Sequence, residues 1–121
     1  MTEEAGLLNP LVQAELVAEA IADATVGVLV WDDSRRYIAA NACACRLLGT
    51  TLDELIGSTV GGRTVDGEAT VERVARTELS RGRITAERFD GSGPIELEYV
   101  TFATRAAGLP YMASVIWPAD A

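Results

Sequence analysis

The sequence has no histidine and no lysine, and only two cysteines. Without histidine the chain lacks the commonest general base at neutral pH, the commonest zinc partner and the usual axial ligand of haem. Most catalytic and metal-centred functions lose their ordinary donors at once, and an enzyme is not expected. Cys43 and Cys45 stand two residues apart on an expected helix and project to roughly opposite sides, so a disulfide between them is geometrically poor. That suits a reducing compartment. Long apolar runs are missing too: stretches such as Val26 to Trp31 are far too short to span a bilayer, and Met1-Thr2-Glu3-Glu4 is not the basic start of a signal peptide. A cytoplasmic location is the default expectation. The ten basic residues, all arginine, face 18 acidic ones for a net charge of -8. Such a field repels phosphate backbones and anionic lipid, so neither nucleic acid nor membrane is an expected partner.

What is present is the material of one folded domain. The 121 residues are 49% apolar and 23% charged, enough to bury a core without disulfides or a structural metal. After a loose start over residues 1 to 8, Asn9 can cap a helix that begins at Pro10 and runs to about Asp23. Its apolar positions Leu11, Val12, Leu16, Val17, Ala20 and Ile21 recur at helical spacing, with Gln13, Glu15 and Glu19 on the other side. That face needs a partner, either this domain's sheet or a second copy of the chain. The run from Val26 to Trp31, the polar turn Asp32 to Arg36 and Tyr37 to Ala40 read as a hairpin. Asn41 then opens a short helix ended by Gly49, and Thr51 with Glu54 has capping-box spacing for another, ended by Gly57. Residues 58 to 67, with Gly61, Gly62 and Gly67, predict an irregular, mobile connection. Glu68 to Ser80 predicts a helix with Val71, Val74, Ala75 and Leu79 on one stripe and Gly82 past its end. Arg83 to Phe89, Ile95 to Thr104 and Leu109 to Trp117 predict three antiparallel strands, the first turn being Asp90 to Pro94. The order predicts an α+β domain with a five-stranded antiparallel sheet flanked by short helices.

The stretch from Val26 to Gly57 resembles the PAS family, with Asp32 after the first strand, Asn41 at the start of a helix and Glu54-Leu55-Ile56-Gly57 closing the next. The resemblance divides the chain into an N-terminal amphipathic cap helix, residues 1-24, and a PAS-like domain, residues 25-118, with Pro118 read as a boundary. It implies a sheet curved around a cavity closed by the short helices. By analogy with family members that hold a ligand, the inward set is Leu29, Trp31, Cys43, Leu47, Val60, Leu97, Tyr99, Thr101, Met112, Ser114 and Ile116.

The family's flavin-binding light sensors carry a reactive cysteine and a glutamine, near whose places this sequence has Val60 and Ile116, so flavin is not expected. From this inward set haem would have only Cys43, Met112 or Tyr99 as donors and is not expected either. Trp31 and Trp117 end strands that neighbour each other in the PAS order, which would place them at one end of the sheet. Glu96 and Glu98 read as a solvated edge, and Arg73, Arg76, Arg81 and Arg83 as helix-surface ion pairing with Glu72 and Glu78. The resulting expectation is a signalling module that senses a small apolar ligand, or homodimerises through Leu11, Val12, Leu16, Val17 and Ile21. The alternative is a ligand-free interaction module, its cavity filled by Trp31, Tyr99 and Met112, that binds a kinase or regulator.

Overall fold

A computed structural model describes Gly6 and residues 8–120; of the expected loose start, residues 1–5 and 7 lie outside the described part. Polar side chains open the first helices where the sequence places them. Asn9 accepts the Leu11 amide at 2.8 Å and opens α1 (Pro10–Ala22), with proline where its missing N–H is no loss. Asn41 caps α2 (Ala42–Leu48), which stops at Gly49 in the left-handed region, φ 65°. Thr51 accepts the Glu54 amide at the start of α3 (Leu52–Leu55). Farther on, α4 (Gly67–Ala75) buries Val71 and Val74.

The strands β1 (Gly27–Trp31), β2 (Tyr37–Ala40), β3 (Leu79–Glu87), β4 (Pro94–Ala106) and β5 (Leu109–Pro118) form one antiparallel sheet. The α+β expectation holds. The strand order is β2-β1-β5-β4-β3, so β2 and β3 lie at opposite edges. The chain between them must therefore cross a whole face of the sheet, and it carries α2, α3 and α4 across that face. The core forms there, with Leu29, Leu97, Tyr99 and Ile116 from the sheet against Ala44, Leu48, Leu55, Val71 and Val74.

Four expectations are corrected. The helix expected over 68 to 80 ends at Ala75, and Leu79 starts β3, where it is exposed rather than part of the apolar stripe. Gly82, read as lying past a helix end, sits within β3 opposite Tyr99; a Cβ there would lie 3.0 Å from the phenol oxygen. Arg81 and Arg83 are therefore strand residues, and the ion pairs are Arg76–Glu72 at 3.5 Å along α4 and Arg83–Glu96 at 4.0 Å across strands. Trp31 and Trp117 lie at opposite ends of the sheet, because antiparallel pairing sets the end of β1 against the start of β5, Trp31 opposite Met112. The connection at 58 to 67 is irregular but tied down: Thr59 bridges to Arg36 and Thr64 to Ala86.

Candidate functional site

Between the inner face of the sheet and the chain that crosses it lies a partly open pocket of about 70 Å³. Strand alternation places most of its sheet wall. Leu29 and Trp31 on β1, Leu97, Tyr99 and Thr101 on β4, and Ser114 and Ile116 on β5 all line it, and Val60 joins them from the connection. The structure brings together these members of the inward set and leaves out three.

Cys43, Leu47 and Met112 do not line the pocket. On α2 the side facing it carries Leu48, one residue around from Leu47, while Cys43 is buried elsewhere and its thiol donates to the Thr25 carbonyl at 3.3 Å. Met112 pairs with Trp31 in register but lies beyond it, in an open groove with Asp32, Ala103 and Tyr111. Trp31 borders both spaces. Cys45 packs against the core, and burial pushes its thiol up, away from the reactive thiolate.

Several wall residues escaped sequence reasoning. Val71 and Val74 close the pocket from α4, with Gly61, Thr64, Gly67 and Thr70 alongside. The apolar spacing of α4 marked its buried side without saying what that side covers. Tyr37 enters through a register shift: Leu29 pairs with Ala40 and Val30 with Ala39, yet Trp31 pairs with Tyr37. Simple alternation would turn Ile38 inward; the bulge leaves Ile38 exposed and brings Tyr37 to the pocket wall. Burial pushes the Tyr37 phenol up to about 12, although its oxygen takes the Gly61 amide.

Among the described residues no acidic or basic side chain lines the pocket. Its innermost polar groups bond one another: Trp31 Nε1–H donates to Ser114 Oγ at 3.1 Å, and Ser114 Oγ lies 2.7 Å from Thr101 Oγ1. Trp117, on the other face, donates to Glu98 at 2.9 Å. The residues present do not fit the large cofactors of comparable folds. Of the donors considered for haem only Tyr99 lines the pocket, and its volume is well below the roughly 300 Å³ at which pockets for drug-sized ligands begin. Among the described residues no group of three or more cysteine or acidic side chains could hold a metal ion.

Neither a family model nor a curated protein sequence matches the chain significantly. Solved structures do. The PAS domain of an HTR-like protein from Haloarcula marismortui superposes with a TM-score of 0.78 at 15% identity, covering 97% of this chain and 100% of that one. The fold is that of a PAS domain. A domain of a sensory box sensor histidine kinase/response regulator from Geobacter sulfurreducens gives 0.75 at 21% identity, covering 92% and 98% of the two chains. An RNA-binding light-oxygen-voltage receptor gives 0.77 at 19% identity, covering 98% of this chain and 36% of that one.

In α1 no side chain is buried; Leu11, Val12, Leu16, Val17 and Ile21 are all exposed. Its C-terminal end is held by Asn41, whose Nδ2 donates to the Ile21 carbonyl at 2.7 Å. No helix of the described residues is long and apolar enough to cross a membrane.

Proposed function

We propose that this PAS-fold chain is a signalling sensor module, not an enzyme, in which a small, mainly apolar ligand enters the pocket and two copies associate through α1. The observation that carries the reading is the pocket itself: an uncharged, mainly apolar space on the inner face of the sheet, reached from solvent. The exposed apolar residues of α1 support the second half, because a second copy would remove them from water. Asn41 joins the two regions, bonding α1 on one side and β1 and α2 on the other. The solved structures with the same fold include domains of sensor histidine kinases, which agrees with a signalling role.

The experiment is sedimentation of the chain at high micromolar concentration, with mass spectrometry of whatever the denatured protein releases. A dimer that Leu16→Glu/Val17→Glu converts to a monomer, together with a released small apolar compound, is the expected result. A monomer in the unaltered chain overturns the α1 interface, and release of nothing counts against a resident ligand.

The small volume of the pocket favours a second reading, a ligand-free interaction module binding a kinase or regulator through its sheet. Trp31→Ala separates the two. A self-filled core loses about 3–5 kcal/mol in urea unfolding, whereas a pocket already roomy around Trp31 loses less.

A further inference from the structure

The hydrogen-bond count inside the pocket states what its occupant must offer. Trp31, Ser114 and Thr101 carry one polar hydrogen each: the indole N–H and two hydroxyls. The two hydrogen bonds among them use two of these. Where Ser114 donates to Thr101, the Thr101 hydrogen is left over; where Thr101 donates, the Ser114 hydrogen is. In either arrangement one hydroxyl hydrogen has no acceptor within this trio, and both residues line the pocket. Both residues are buried, Thr101 being 3% and Ser114 8% exposed. The other hydroxyls on the wall belong to Tyr37, whose oxygen takes the Gly61 amide, to Tyr99, which lies opposite Gly82, and to the half-buried Thr64 and Thr70. A buried donor left unpaired costs on the order of 1–3 kcal/mol, so an occupant that accepts this hydrogen is preferred over one of the same shape that does not.

Charge narrows the class further. With no ionised side chain on the wall, an anion or cation would be desolvated without a partner. At about 10–15 Å³ per water-sized group, the space accepts roughly half a dozen heavy atoms. Building on the ligand-sensor reading above, we infer that the pocket selects small neutral molecules with an apolar body and one acceptor oxygen, such as a short ketone or ester, held by the spare hydroxyl hydrogen of the Thr101–Ser114 pair.

The test is a titration of the full chain, followed through the methyl resonances of Leu97 and Ile116, with three probes: cyclopentanone, cyclopentane and butyrate. Cyclopentanone is expected to bind about tenfold more tightly than cyclopentane, and butyrate not to shift the pocket methyls. In Trp31→Phe/Thr101→Val/Ser114→Ala, which removes all three polar hydrogens, the preference for the ketone is expected to vanish while binding of the hydrocarbon persists. Equal binding of ketone and hydrocarbon by the unaltered chain overturns the donor assignment and leaves the ligand-sensor reading standing. Binding of neither overturns both. A triple variant that keeps the ketone preference also overturns the assignment, and one that fails to fold leaves the decision with the unaltered chain.

Discussion

Asn41 uses its side chain in both directions. Oδ1 accepts the amides of Val28 and Ala44 at 2.9 and 3.0 Å, and Nδ2 donates to the carbonyls of Ile21 and Val26 at 2.7 and 3.0 Å. One residue thus ties the end of α1, the start of β1 and the start of α2. Asn41→Ala is expected to cost about 3 kcal/mol in urea unfolding, because backbone groups on both sides lose their partner. Asn41→Asp is expected to rescue little, since a carboxylate cannot donate to two carbonyls. A rescue to near the unaltered stability would show that capping α2 is all Asn41 does. That capping role was legible in the sequence; its bonds to Ile21 and Val28, residues far back in the chain, were not. Tyr37 supplies a pH signature. Its phenol ionises near 10 when unfolded and near 12 when folded, so its stabilising contribution is complete below pH 10 and is lost as pH rises toward 12. Between pH 8 and pH 11 the unaltered chain is expected to lose about 1 kcal/mol more than Tyr37→Phe. Equal losses in the two proteins would place the phenol in water.

Two glycines show what individual elements tolerate. Gly82 in β3 has the Tyr99 ring across it, so Gly82→Val must push that ring or bend the strand, at an expected cost of about 2 kcal/mol in urea unfolding. A neutral outcome would mean that Tyr99 swings away freely. At the start of α4 a Cβ on Gly67 would overlap the Gly61 carbonyl, so Gly67→Ala is expected to displace α4 and disturb the Leu97 and Ile116 methyl resonances as well as stability. Gly82 also explains why the sequence around residue 80 reads as a helix end. A glycine after an amphipathic helical pattern has the local signature of a C-cap, and only the pairing of Leu79–Glu87 with β4 shows that the chain has already become strand. Likewise, the cap and stop of α2 are legible in the sequence, but the rotation of the helix is not, and the structure sets Leu48 rather than Leu47 at the pocket.

At the scale of the whole molecule, the edge positions of β2 and β3 force the intervening chain across the sheet, and the pocket is the space left under that crossing. The first helix stands apart from this construction. Since none of its side chains is buried, Leu16→Glu/Val17→Glu is expected to leave the unfolding free energy of the dilute chain within about 0.5 kcal/mol while it removes self-association. A loss of several kcal/mol would instead show that α1 folds back onto its own domain. The sequence by itself determined the helix starts at Asn9, Asn41 and Thr51, the five strands and the inward faces of β1, β4 and β5, because caps and alternation depend on neighbours a few residues away. Only the tertiary structure decided the entry of Tyr37 through a bulge, the closing of the pocket by Val71 and Val74, and the meeting of Trp31 with Ser114 across the β1–β5 pair. Each of these is set by packing between residues distant in the chain, where the balance of burial, register and hydrogen bonding has no local sequence signal.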